Sequence, residues 1–407
     1  MTSTHYPTPA DESQSAETIA NSLDHLIEIL VRLPLKSLVR SKSVSKGWNS
    51  VISDPNFCRR LVPNISGLII KKLIIRDIST DYPEYQLIPL TGLTDKASLN
   101  FSLPTGFRIL QSCNGLLLCH DNGDSNYYIY NPTTKQKDFL PPRLVKRKSG
   151  TKQKVSLPPP NLDTRNSETY LNLAFDPTKS LHYKVVCVRD SIKCTKKQII
   201  EIYSSETRFW RFSGNAFTAH WNTSMFKEGV FCNGAIHWIN HGDHSIVYFN
   251  MDDEKFGQLP LPKLPPNIPS GIGSNYMTYL MECRGHLHHI GTRLPPTELK
   301  VQEMESDHSG WIVKYYVDLS PLTVAFPETQ QKYLSLLFLV REANEEDSYM
   351  VVHIPGKVIR LNLKDGYFNK ICDLEPVVND PEGTVLSLYT SLRFFTPYQF
   401  IQTLSSV

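Results

Sequence analysis

Residues 113–119 read CNGLLLC, and residues 128–142 read YIYNPTTKQKDFLPP. Both phrases return, as CNGAIHW at 232–238 and VYFNMDDEKFGQLPLP at 247–262. Asn114 and Asn131 are 17 positions apart, as are Asn233 and Asn250, and the step on to Leu140 or Leu259 is 9 in both copies. A single offset of 119 superimposes the two. Fainter copies follow. ECRGHLHHI at 282–290 repeats the opening strand, and VIRLNLKDGYFNKI at 358–371 repeats the closing hairpin, with Asn362 and Ile371 again 9 apart. IIEIYSSETRFWRF at 199–212 matches the same hairpin at Tyr203.

Self-similarity at this period marks one supersecondary unit per repeat. In each unit an inner strand follows the Asn-Gly, a hairpin crosses, and an outer strand ends at Leu-Pro. One small antiparallel sheet cannot bury both faces, whereas several sheets ringed about an axis bury each other and protect their edges. About six such units fit between residues 65 and 400, and seven also fit; a two-sheet sandwich or two smaller β domains is the alternative arrangement. The ring closes if the run VLSLYTSLRFF at 385–395 pairs with strands between residues 67 and 90. Proline, at 28 of 407 residues, exceeds its usual share of about 5% and sits mostly between the β-rich runs. That punctuation is expected of an all-β domain with regular turns.

The front of the chain is different. Residues 23–57 read LDHLIEILVRLPLKSLVRSKSVSKGWNSVISDPNF. Leu23, Leu26, Ile27 and Leu30 share one helical face. Pro34 ends that helix and suits the start of a second, which carries Leu35, Leu38 and Val39. Ser45 is placed to cap a third helix with Val44, Trp48, Val51 and Ile52 on one side. Asp54-Pro55 breaks it, and a last turn brings in Phe57 and Leu61. The expected organisation is a polar, disordered tail at 1–20, a three-helix unit at 21–62 and the β domain at 65–400.

Bulk properties narrow the function. The net charge of +3 sets up no global field toward nucleic acid or membrane. Eight dispersed cysteines form no Cys-x-x-Cys pair, so neither a zinc ribbon nor a thioredoxin motif is present, and a reducing compartment is expected. The first twenty residues have no basic start and no apolar stretch, and the longest apolar run, YLSLLFLV at 333–340, is far short of a span. A soluble intracellular protein, nuclear or cytoplasmic, is the expectation, with no cofactor.

For the helical unit, composition alone leaves a structural cap open. Arg32, Lys36, Arg40, Lys42 and Lys46 raise helix-turn-helix DNA binding, but basic helices are common, and groove reading also needs Asn, Gln or Arg on a recognition helix with a defined dimer spacing. The order Leu23, Leu26, Ile29-Leu30, Leu33-Pro34, Lys36-Ser37-Leu38, Arg40, Val44-Ser45-Lys46, Trp48, Ile52, Asp54-Pro55, Phe57 resembles an F-box, most closely those of plants. The repeats behind it resemble the F-box-associated, kelch-like β domain of the same proteins. Two departures stand out: Leu23-Asp24 replaces the usual Leu-Pro opening, and Ser41-Lys42-Ser43 stands where many relatives carry Phe or Cys. The resemblance implies the non-catalytic substrate receptor of a ubiquitin ligase, docked on a SKP-type adaptor and through it on cullin and RING subunits. It implies an adaptor-facing ridge of Leu26, Ile29, Leu30, Leu33, Pro34 and Leu38, extended by Leu23, Val44 and Ile52. Trp48 would be the central anchor or the bundle's own core. Lys36, Arg40 and Lys46 would steer an acidic adaptor or form a solvated surface. The β domain would hold a target protein. The alternative is a propeller-type binder or enzyme whose helices are only a cap.

Other clusters carry less. Cys283, His286, His288 and His289 gather in one strand opening, but His289 points away from His286 and His288, so wet histidines near a loop are expected rather than a zinc site. LVKRKSGTKQK at 144–154 reads as a long basic loop or an import signal. Glu345-Glu346-Asp347 reads as a solvated hairpin tip. GIGSN at 271–275 precedes no helix and is no phosphate loop.

Overall fold

A computed structural model describes residues 23–407 except 62–64, 73–82, 91–105, 122–125, 147–151, 156–168, 192–193, 215–216, 219–222, 264–275, 294–296, 328, 330–333, 375–396 and 406. The expected tail at 1–20, the run at 385–395 and the GIGSN stretch lie outside the described residues.

Among the described residues four short helices precede the strands, where three and a last turn were expected: α1 (Leu23–Leu30), α2 (Leu35–Ser41), α3 (Lys46–Ile52) and α4 (Pro55–Arg60). The expected last turn is a helix because Asp54 caps it. Its carboxylate accepts from the Asn56 and Phe57 amides at 2.7 and 3.3 Å, and Pro55 occupies the first turn, where its missing N–H costs nothing. Ser45 caps α3 as the sequence suggests, accepting from Trp48 N at 3.1 Å. Leu26, Leu30, Leu38, Val51, Ile52 and Phe57 bury together between the helices. Glu28 of α1 bonds Arg60 of α4 at 2.5 Å, which holds its carboxyl below the usual range.

The rest is a six-bladed propeller of antiparallel sheets. Blade 1 joins Pro397–Ile401 to Ile65–Lys72 and Glu84–Pro89. Blade 2 runs Phe107–Cys113, Leu116–Asp121, Tyr127–Asn131, Gln136–Phe139. Blade 3 runs Thr169–Ala174, Lys184–Ser191, Cys194–Ser204, Phe209–Phe212. Blade 4 runs Val230–Cys232, Ala235–Asn240, Ser245–Asn250, Phe256–Pro260. Blade 5 runs Tyr276–Cys283, His286–Arg293, Glu298–Met304, Trp311–Asp318. Blade 6 runs Ser335–Val340, Tyr349–Ile354, Lys357–Asn362, Phe368–Asp373. A separate ribbon pairs Arg143–Lys146 with Lys152–Val155, within the basic stretch expected to be a loop.

The core lies between the blades. One apolar cluster fills each interface: blades 1 and 2, 2 and 3, 3 and 4, 4 and 5, 5 and 6, and 6 and 1. Strand alternation makes this work. Leu68 and Ile70 face blade 6, while Ile69 between them faces blade 2. The ring closes as expected, with a late strand beside early ones, but the strand that pairs with Ile65–Lys72 is Pro397–Ile401. The order within a blade also differs from the expectation. First strands of successive blades lie side by side, so the innermost strand precedes the Asn-Gly and the strand after it is second.

The repeated phrases now have physical reasons. Asn114 and Gly115, at φ 45° and 91°, and Asn233 and Gly234, at 50° and 83°, form tight hairpins whose two central residues are both left-handed. Arg284-Gly285 does the same in blade 5. Asn114 Nδ2 donates to Phe175 O of blade 3 at 2.8 Å, and Asn233 Nδ2 to Gly285 O of blade 5 at 2.8 Å. The preceding thiols of Cys113 and Cys232 donate to the same two carbonyls. Burial pushes both thiols up, that of Cys232 to about 12, so they stay protonated donors. The downstream asparagine closes the next turn. Asn131 Oδ1 accepts from the amides of Thr133 and Thr134, Asn250 Oδ1 from those of Asp252 and Asp253, and Asn362 Oδ1 from those of Lys364 and Asp365. The Leu-Pro ending buries Leu140 and Leu259 and offers a carbonyl to the next blade: Trp210 Nε1 donates to Pro141 O and Trp311 Nε1 to Pro260 O, both at 2.8 Å.

Candidate functional site

The helical unit holds two kinds of apolar residue. Leu26, Leu30, Leu38 and Ile52 are buried in its own core. Leu33 and Trp48 are half-buried and pack on that core. Leu23, Ile29 and Val44 are 58%, 45% and 64% exposed, and Pro34 is exposed too. Val39, not singled out above as a contact, joins them at 38%. The residues expected to form one ridge therefore divide into four that build the unit and four that decorate it, with Leu33 and Trp48 spanning the two. Arg40 and Lys46 are exposed beside the decorated surface, whereas nothing is described for the Lys36 side chain. A unit of about forty residues is near the lower size limit for independent folding, and Leu23, Ile29, Pro34, Val39 and Val44 leave apolar surface on it in water.

Family comparisons match both parts. The F-box domain model matches residues 22–60, and the F-box associated beta propeller domain model matches residues 81–270. F-box protein At5g07610 of Arabidopsis thaliana is 33% identical over 97% of this chain and 94% of its own. The chain belongs to the F-box proteins. Helices α1–α4 lie within the F-box match and blades 2 to 4 within the F-box-associated match, so it is a substrate receptor of the general F-box kind. An F-box/kelch-repeat protein of the same plant, At3g23880, is 26% identical over 65% of this chain and 70% of its own. Among solved structures, an oligogalacturonate lyase in complex with manganese matches at TM-score 0.37 and 9% identity, over 84% of this chain and 98% of that one.

Behind the F-box, the histidine cluster resolves into an ionic network. His288 and His289 are buried rather than wet, because both lie on the second strand of blade 5 and its two faces are covered by neighbouring blades. His289 packs its ring on Trp311, opposite His286 and His288. Glu303 lies 3.2 Å from His286 Nδ1 and 3.3 Å from His288 Nε2, and it accepts from Arg341 Nη1 at 2.6 Å. Arg341 and Lys314 then share Glu345, at 2.8 and 2.7 Å. The cation beside these histidines is thus an arginine that ties blade 6 to blade 5. Among the described residues no group of three or more His, Cys, Asp or Glu is arranged to hold a metal ion. Burial pushes His288 and His289 down to about 4, so both are neutral at pH 7. Glu345, Glu346 and Asp347 form a short 3-10 turn, exposed but engaged: Glu345 holds Arg341 and Lys314, and Glu346 pairs with Lys364. No helix among the described residues is long and apolar enough to cross a membrane.

Proposed function

We propose that this chain is the substrate-recognition subunit of a SKP–cullin–F-box ubiquitin ligase, acting without catalytic residues of its own. Residues 21–62 dock the adaptor, which carries the cullin and RING subunits, and residues 65–400 hold the target protein. The observation that carries the reading is the set Leu23, Ile29, Val39 and Val44, exposed on a unit whose core is already filled by other residues. An adaptor that covers them removes apolar surface from water, at roughly 25 cal/mol per Å², within an interface of about 1,600 Å². Pro34 is exposed on the same unit, and Trp48 is half-buried against its core. Leu26, Leu30, Leu38 and Ile52 act within that core by holding the helices in register. Arg40 and Lys46 accelerate encounter with an acidic adaptor.

The test is co-purification of the full chain with a SKP-type adaptor and its cullin. The wild type binds both. Ile29→Asp with Val44→Asp loses adaptor binding by about two orders of magnitude, because two charges are buried against an apolar partner, while the melting temperature holds. A wild-type chain that stays folded and captures no adaptor at micromolar concentration overturns the reading.

A further inference from the structure

We infer that residues 402–405 mount the F-box rigidly on the propeller, and that Leu404 and Asn131 are positioning residues for ubiquitin transfer. The positioning role rests on the receptor reading; the mount itself does not.

Residues 402–405 follow Pro397–Ile401, the innermost strand of blade 1. Neighbouring side chains of this segment turn opposite ways. Leu404 is 7% exposed and lies in the F-box core with Leu26, Leu30, Leu38, Ile52 and Phe57; among the described residues it is the one member of that cluster from beyond the helical unit. Thr403 and Ser405 are buried, and hydrogen bonds tie them to blade 2. The Thr403 and Ser405 carbonyls both accept from Asn131 Nδ2, at 3.1 and 2.7 Å. Thr403 N donates to Thr133 Oγ1 at 3.2 Å. The two hydroxyls meet at 2.9 Å, and Ser405 N donates to Thr403 Oγ1 at 3.2 Å. Gly115 makes room for this clamp: a Cβ there would lie 2.6 Å from both Ile401 O and Thr403 Cγ2.

Asn131 is the repeat asparagine of blade 2. Its Oδ1 closes its own turn, as in blades 4 and 6. Its amide nitrogen is the part diverted to the segment, whereas that of Asn362 donates to Glu346 O within its own blade. A buried asparagine with both ends engaged has little freedom, and a leucine in another unit's core transmits that order across the junction. Holding the F-box in one orientation keeps a captured target at a fixed distance from the transfer enzyme, so the same lysines are presented each time.

The test uses the full chain. Spin labels on non-natural amino acids at the exposed positions of Ser50 (α3) and Glu206 (blade 3) report the distance between the two parts. Asn131→Asp retains the oxygen that closes the turn and removes both donors to the segment; Leu404→Ala removes the knob in the F-box. A single narrow distance distribution is expected for the wild type, and one broadened by about twofold or more for each variant. Widths unchanged in both variants overturn the mount. With adaptor, cullin, RING and a charged transfer enzyme added, Asn131→Asp is expected to bind adaptor within about threefold of the wild type yet to spread self-ubiquitination over more lysines. An unaltered lysine map overturns the positioning role. A wild type that fails to bind adaptor overturns the receptor reading instead, and the distances still decide the mount.

Discussion

Asn233 has two tasks, and they can be separated. It holds φ at 50°, and its amide donates to Gly285 O of the next blade. Asn233→Gly keeps the left-handed conformation and loses the donor, at a cost of about 1 kcal/mol. Asn233→Ala loses the donor and also the short polar side chain by which asparagine tolerates the left-handed region, while keeping the Cβ that glycine lacks, a further cost of about 1 kcal/mol. Urea titration of the three chains checks this, and equal midpoints for Gly and Ala would remove the conformational argument. Gly115 has no such latitude, because its missing Cβ is the space in which Ile401 O and Thr403 sit. Gly115→Ala is expected to cost more than either change at Asn233.

At the scale of elements, the F-box behaves as a marginal unit whose core and contact surface are distinct. Leu38→Ala should destabilise it by about 2–5 kcal/mol, and Ser45→Ala by about 1 kcal/mol through the lost cap on α3. Hydrogen exchange of the α1–α4 amides reads both losses; protection unchanged in Leu38→Ala would contradict its place in the core. These helices were legible because capping and proline rules act within a few residues: Ser45 caps where the sequence suggests, and Asp54-Pro55, read as a break, ends one helix and caps the next. The Asn-to-Asn and Asn-to-Leu spacings were legible for the same reason, since each asparagine closes a local turn or latches to the next blade. What the helical pattern did not give was which apolar residues face inward, because in a unit this small nearly every position borders either a neighbour or solvent. Pro397–Ile401 was not singled out as a closing strand, because a five-residue run carries little propensity signal and its role comes from its pairing with Ile65–Lys72. Leu404 was illegible: one leucine among Thr and Ser carries no periodicity, and its meaning comes from Asn131, more than 250 positions away.

Across the whole molecule, the ring is held by interfaces that exclude water, and this makes its stability depend on pH. His237, His288, His289 and His353 lie on the second strands of blades 4, 5 and 6, each buried. Burial pushes each of them down to about 4 from an ordinary value near 6.5. Between those values the unfolded chain binds more protons than the folded one, so stability increases with pH across that window and is flat above it. Each histidine contributes a slope of up to about 1.4 kcal/mol per pH unit there. Glu282 acts in the opposite direction, since burial raises its carboxyl and favours the protonated folded form, but it is one group against four. Exposed inter-blade pairs such as Arg208 with Asp138 add little, as solvent screens them. The denaturation midpoint should therefore fall markedly from pH 7 to pH 5 and hold between pH 7 and pH 8. His353→Gln, which removes one titrating group from blade 6, should shallow that fall by about a quarter. Chemical denaturation at several pH values decides it: equal midpoints at pH 5 and pH 7 would mean that these four imidazoles are hydrated in the folded ring.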